Sequence, residues 1–367
     1  MISRLFGMTL ASFCLVACNQ PSATGTPGAT GTTTGTTIGA PGNTAPEDTA
    51  YAVQGEYLGV DAATGDTLGA QVAAEGQNNF SLLLLNGGLP GRGWNGQNGE
   101  LLSGVLQGDS ARFSQSGFSL AVGILGDSLL GINNQGQHLR LKKIYRQSPT
   151  LGEAPPAGAV VLFDGSSVSA WTNAFLDSTP DSTSDSISKS TSTFVLRVDT
   201  TTTGASTSQL FGNFTLHVEF YLPFEPGNSG QDRANSGVFL QDRYELQILD
   251  SFGQSLADLA VVDSSEPAQE CGAIYGQTAP LTNMSFPPLT WQTYDVTFTA
   301  AQWDFSGGKT QNASVTVRQN GVVIQQNLSI PAPTLEGNTE TPSPGPIFLQ
   351  YHGHSVLFRN IWVVTQP

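Results

Sequence analysis

Tyr244-Glu245-Leu246-Gln247-Ile248-Leu249-Asp250 alternates apolar and polar residues over its first five positions. Side chains of a strand point alternately to its two faces. Tyr244, Leu246 and Ile248 therefore belong to a core, while Glu245 and Gln247 share the opposite surface. Asp250 has the wrong parity for that surface and needs a β-bulge, or the end of the strand at Ser251-Phe252-Gly253, to join it. Two carboxylates flanking an amide on one strand suit acid–base work on a sugar. An ordinary amphipathic strand wetted on its polar face has the same pattern.

The same period of two recurs on both sides of this stretch. In Phe214-Thr215-Leu216-His217-Val218-Glu219-Phe220-Tyr221 the even positions are apolar, and His217, Glu219 and Tyr221 share the other face. Ile347-Phe348-Leu349-Gln350-Tyr351-His352 places Gln350 and His352 on one side, and residues 355–364 form a last strand bearing Arg359, Asn360 and Trp362. No segment keeps a 3.6-residue period, so helices are few. A run of some ten or more strands over ~200 residues fits a two-sheet jelly roll with one concave polar face. The fold class expected is all-β throughout.

Upstream, residues 49–147 read as a small antiparallel β domain. Candidate strands at 55–60, 69–74, 80–85, 101–106, 119–124 and 138–144 are separated by glycine and asparagine, in the rhythm of a barrel or sandwich. Leu82 to Leu85 is continuously apolar and expected to be buried on both sides. The loop Gly87-Gly88-Leu89-Pro90-Gly91-Arg92-Gly93-Trp94 combines turn-permitting glycines with a tryptophan that either stacks on a sugar or plugs the small core; the core is the expectation. Without clustered His, Asp or Glu, this domain reads as non-catalytic. Residues 148–158 form a proline-containing linker, and the jelly roll occupies 159–367, with a polar Ser/Thr-rich loop at 177–192.

Residues 1–18 read as a lipoprotein signal: Arg4 is the basic head, an apolar run follows, and Leu15-Val16-Ala17-Cys18 resembles a bacterial lipobox. Cleavage by the ordinary secretory peptidase is the competing reading. Cys18 is thus the expected lipidation site, the Thr/Gly/Pro-rich stretch 19–48 a flexible tether, and the destination the cell envelope. With Cys14 removed and Cys18 acylated, Cys271 stands alone, which excludes an intrachain disulfide and a cysteine metal site. A net charge of −15 argues against nucleic acid and anionic membrane surfaces as partners, leaving the lipid anchor as the membrane contact.

Short landmarks across 159–364 resemble the 3-keto-disaccharide hydrolase domain family. They are Val161-Leu162-Phe163-Asp164-Gly165, Asn235-Ser236-Gly237-Val238, Tyr244 to Ser251, Gly272-Ala273-Ile274-Tyr275, Trp291-Gln292-Thr293-Tyr294-Asp295, Gln350-Tyr351-His352-Gly353 and Phe358-Arg359-Asn360-Ile361-Trp362. The resemblance implies a concanavalin A-like jelly roll, and the preceding domain looks like the accessory region of planctomycete-type members. Tyr351 stands where the family often has Asp; if that Asp orients the histidine or a metal, the site is altered here.

The resemblance also implies substrates oxidised to a ketone at C3, which acidifies the C2 proton, so that a base removes it, the C1 substituent leaves and water adds. A divalent metal is the candidate electrophile. On this reading Glu245, His352 and Glu219 are the catalytic candidates, and Glu245, His217 and His352 the metal ligands. Asn235, Gln247, Asp250, Tyr275, Trp291 and Gln350 are the candidate contacts to the carbohydrate. No dinucleotide fingerprint is present, so a separate sugar 3-dehydrogenase must supply the ketone. Glu245-x-Gln247-x-x-Asp250 keeps the spacing of jelly-roll glycanases but lacks their middle carboxylate, which disfavours direct two-carboxylate hydrolysis. The non-enzyme alternative is a carbohydrate-binding surface lipoprotein.

Overall fold

The computed structural model describes residues 49–61, 64–96, 99–115, 118–123, 127–178, 194–254 and 268–367. The expected signal with Cys18, the tether 19–48 and all but the first two residues of the Ser/Thr-rich loop lie outside the described residues. A short helix α1 (Thr49–Val53) leads into β1 (Gly55–Val60), β2 (Thr67–Ala74), β3 (Asn79–Asn86), β4 (Glu100–Gln107), β5 (Ser110–Gln115), β6 (Phe118–Gly123), β7 (Ser128–Ile132) and β8 (His138–Ile144). Each strand pairs with the next, and β1 pairs with β8, so the sheet closes into a barrel. Closure leaves no edge strand unpaired.

The leucine run explains how this barrel is held. Leu82 and Leu84 face its interior with Tyr57, Val72 and Phe113, while Leu83 and Leu85 face outward to a second cluster with Leu89, Leu58 and Trp94. The glycine-rich loop makes the second cluster possible. Gly87, Gly88 and Gly93 all have positive φ, and a Cβ on any of them would meet a backbone oxygen at 2.5 Å or less. Trp94 is half-buried against the outer cluster rather than in the barrel core.

After residues 148–159, the second half contributes β9 (Val160–Phe163), β10 (Trp171–Thr172), β11 (Ala174–Ser178), β12 (Phe194–Val198), β13 (Gly204–Thr207), β14 (Asn213–Tyr221), β15 (Ser236–Leu240) and β16 (Tyr244–Ile248). There follow β17 (Trp291–Thr299), β18 (Gln302–Trp303), β19 (Lys309–Gln311), β20 (Ala313–Gln319), β21 (Val322–Ile330), β22 (Phe348–Gln350) and β23 (Leu357–Gln366). Two antiparallel sheets result among the described residues. One has five strands in the order β10-β13-β22-β15-β16; the other has eight, β11-β12-β23-β14-β17-β20-β21 with β9 against β23.

The apolar halves of the alternating strands meet between these sheets. Phe214, Leu216, Val218 and Phe220 come from β14, and Tyr244, Leu246 and Ile248 from β16. Burying them is the main driving force for the sandwich. The polar halves consequently lie on two outer faces, back to back across the core. Cys271 is buried and unbridged, its sulfur 3.1 Å from the Tyr294 hydroxyl.

Candidate active site

Glu245 projects from the outer face of the five-stranded sheet and is only 2% exposed. Its neighbours across the sheet follow from register. Phe239 of β15 is opposite Glu245, Gly237 is opposite Gln247, and β22 lies beyond β15 with Leu349 beside Val238. The Glu245 side chain leans over Gly237, where a Cβ would meet its Oε1 at 2.5 Å. Gly237 is glycine because the carboxyl occupies the space a side chain would take. On the other flank, Tyr275 N–H donates to the Glu245 carbonyl and Ile274 bridges Leu246, which sets half-buried Tyr275 beside Glu245.

No hydrogen bond or ion pair reaches the Glu245 carboxyl among the described residues. Burial, reinforced by the charge of Glu336, pushes its pKa up to about 8. Glu336 comes from the loop between β21 and β22. Thr334 of that loop accepts the Glu245 backbone N–H, and Glu336 itself accepts from Gln350 Nε2 at 2.7 Å. The amides around Glu245 are held by their nitrogens. Asn235 Nδ2 donates to the carbonyl of Gln231 at 2.8 Å, and Gln247 Nε2 to its Oε1 at 2.9 Å. Asn235 Oδ1 and Gln350 Oε1 are buried with no partner among the described residues. A buried acceptor left empty costs stability, so two on one surface mark a place where hydroxyl donors fit.

The other expected site residues do not join this group. Glu219 and His217 lie on β14 in the eight-stranded sheet, on the opposite outer face, because their parity turns them away from the same core that Glu245 is turned away from. Residues 148–153, expected to be a linker, form a strap that covers them. Gly152 N–H and Asn360 Nδ2 donate to Glu219 Oε1 at 2.6 and 2.9 Å, and Arg359 Nε donates to Oε2 at 2.6 Å. Burial opposes ionisation of Glu219, but His217, Arg359 and Asn360 outweigh it and lower its pKa. Trp291, expected as a sugar platform, is 1% exposed and carries the Arg359 guanidinium 4.0 Å above its ring.

Asp250 lies beyond the end of β16, and its Oδ2 accepts from Arg233 Nε at 2.8 Å, which ties it to the junction with the barrel. His352 is exposed in the turn after β22, where the strand ends two residues too early to carry it onto the sheet face. The buried histidine of this turn is His354, whose Nδ1 lies 2.7 Å from Glu225 Oε2; that contact raises its pKa against the effect of burial.

The expected metal set of Glu245, His217 and His352 is therefore not assembled. A different triad, Glu153, His217 and Asp295, offers one ligand atom each within 4.8 Å of one another. In this structure Asp295 and Glu219 hold the His217 ring. Burial disfavours charge on His217, yet its contacts to Asp295 at 2.6 Å and Glu219 at 3.5 Å win and raise its pKa to about 9. The ring is stacked on Trp362, with Nδ1 facing Asp295 and Nε2 facing Glu219 and the Asn360 amide, so a cation at this triad would have to displace the ring's proton.

Glu336, Gln231 and Gly237 escaped sequence reasoning. Glu336 sits in a Pro/Thr-rich loop with no periodicity, and only the alternation of β15, which puts Asn235, Gly237 and Phe239 on one face, was available as a signal.

The sequence model of the 3-keto-alpha-glucoside-1,2-lyase-like domain matches residues 158–364. A crystal structure of a "putative glycosyl hydrolase" from Parabacteroides distasonis is 32% identical, covering 57% of this chain and 85% of that one with a TM-score of 0.46. Two more structures so described, from the same organism, are 20% and 16% identical and cover 53% and 57% of this chain and 99% and 95% of their own, with TM-scores of 0.34 and 0.36. No curated protein matches.

Proposed function

Because the chain belongs to the 3-keto-alpha-glucoside-1,2-lyase-like domain family, we propose that it is a glycoside-acting enzyme in which Glu245 moves the proton. One observation carries this reading: a buried carboxyl without a partner, poised at about 8, is flanked on the same sheet face by two unpartnered amide oxygens. A base poised near the working pH is effective, and buried acceptors select a polyhydroxylated ligand.

The substrate in this reading is a 3-keto-glycoside. The C3 ketone acidifies C2, and the Glu245 carboxylate takes the C2 proton, leaving an enolate at C3. The enolate returns to the ketone as the C1–C2 double bond forms and the C1–O bond breaks. The proton now on Glu245 is available to the departing oxygen, and water then adds its hydroxyl to C1 and a proton to C2, so the sum is hydrolysis. Asn235 Oδ1 and Gln350 Oε1 accept sugar hydroxyls, and Tyr275 flanks the ring. No step of this path is routed through a cation.

An oxidising enzyme must act first to supply the ketone. In the same reading Cys18 carries a lipid and residues 19–48 tether the enzyme to the cell envelope, as the lipobox-like sequence suggests. The test is Glu245→Gln assayed on a panel of 3-keto-glucosides by product mass, with the fold checked by circular dichroism. The expected result is loss of at least about a hundredfold in turnover. Undiminished turnover removes Glu245 from the mechanism, and binding without product in the wild type would leave a carbohydrate-binding protein.

A further inference from the structure

Between the barrel and the sandwich lies a crevice of about 390 Å³, within the range of roughly 300–1,000 Å³ typical of small-molecule sites. In a chain of net charge −15, its lining includes no ionisable side chain among the described residues. It is instead amide, hydroxyl, glycine, aliphatic and tryptophan: Gln71, Trp94, Asn95, Gln254, Leu281 and Thr282 contribute to it. Half-buried Trp94 brings an aromatic surface to the crevice from its seat on the outer leucine cluster.

Gln71 makes the crevice a built site. The side chain is 3% exposed, and its Nε2 donates to Glu56 Oε1 at 3.1 Å. Glu56 is in turn gripped by Arg146, at 2.6 Å from Nε and 2.5 Å from Nη2. A carboxylate only accepts, so the amide nitrogen must face it. The Gln71 Oε1 is therefore an acceptor fixed in place, and it has no partner among the described residues. The side chains of Gln254 and Thr282 likewise make no hydrogen bond there.

We propose that this crevice is a second saccharide site, distinct from Glu245, which takes a neutral oligosaccharide. An aromatic face, a fixed acceptor, the free amide of Gln254, the free hydroxyl of Thr282 and a lining without charge among the described residues match a ring that is apolar on its faces and polar at its edge. Among the described residues a charged ligand would find no counter-ion. The proposal does not rest on the chemistry assigned to Glu245, and the two fail separately.

The test is isothermal titration of the full mature protein with maltotriose and with cellotriose, one α-linked and one β-linked probe. At least one binds the wild type. Trp94→Ala weakens that binding by about tenfold or more, and Gln254→Ala weakens it several-fold while leaving turnover of a 3-keto-glucoside unchanged. Absence of binding by both probes, or retention of full affinity in both crevice variants, overturns the proposal. Circular dichroism checks Trp94→Ala. Should that variant fail to fold, the half-buried Gln254, whose side chain holds no other group, decides the matter alone.

Discussion

Glu245 shows how a single position can be legible in direction and opaque in company. Strand alternation gave its facing, since a residue between Tyr244 and Leu246 must turn away from the core they enter. What alternation does not carry is which loop closes over that face, so Glu336 and Thr334 had no signal. Gly237 is the most specific consequence. Gly237→Ala adds a methyl into the space of Glu245 Oε1, a flexible atom that moves aside cheaply, so the melting temperature should change little while turnover falls about tenfold or more. An unaltered turnover would show that the carboxyl need not lie over this glycine.

The raised pKa of Glu245 gives two signs. As the proposed base it works when ionised, so turnover should climb with pH through about 8. Its contribution to stability runs the other way. The folded value lies above the ordinary 4.5, so the neutral form's advantage is complete below 4.5 and lost as pH rises through about 8. His217 adds to this: from 6.5 to about 9 on folding, it contributes fully below 6.5 and loses that contribution as pH rises through 9. His217→Asn should therefore destabilise by on the order of 3 kcal/mol below pH 6.5 and far less above pH 9, as denaturant melts at both ends would read.

At the scale of elements, the alternating strands β14, β16 and β23 were readable because one face of each is buried in a large core. β5 and β7 were not: Ser110–Gln115 and Ser128–Ile132 are short runs close to glycine turns, and their place in the barrel comes from pairing on both sides. The strap at 148–153 was the larger surprise. Its proline and glycine read as a linker, and the His217 and Glu219 beneath it read as a site. Polar residues on an outer face look alike in sequence whether they wait for a ligand or hold a neighbouring segment. Here Thr150 donates to Asp295 at 2.7 Å and Ser148 meets Thr293 at 2.6 Å, so the polar face is already occupied. Glu219→Ala strands the Arg359 guanidinium and the Gly152 N–H, which should cost about 3–5 kcal/mol in a denaturant melt. The folded variant should keep its turnover, and loss of turnover without loss of stability would return Glu219 to the chemistry.

For the whole molecule, the barrel and the sandwich are joined by buried charge. Arg233 donates to Asp250 of the sandwich and to the Ala74 carbonyl of the barrel at 3.1 Å, with Glu75 at 3.2 Å. Arg146 reaches Glu56 and stacks 4.9 Å from the Phe286 ring. Asp250 looked like a member of a sugar-cleaving motif because its spacing from Glu245 matched, whereas spacing says nothing of a partner arriving from another part of the chain. Asp250→Asn should lower stability and loosen the junction, seen as faster proteolysis between the two halves, while turnover per folded molecule stays within about twofold. A collapse of turnover in a stable Asp250→Asn protein would contradict this assignment.

The proposed chemistry begins with proton removal at C2 by Glu245, and the measurement closest to that step is the mass of the sugar released from a 3-keto-glucoside in heavy water. Turnover by the wild type should leave one carbon-bound deuterium at C2 beyond the enzyme-free control, and Glu245→Gln should release almost no product. Product formed rapidly with no deuterium at C2 would mean direct hydrolysis at C1 and would contradict the account.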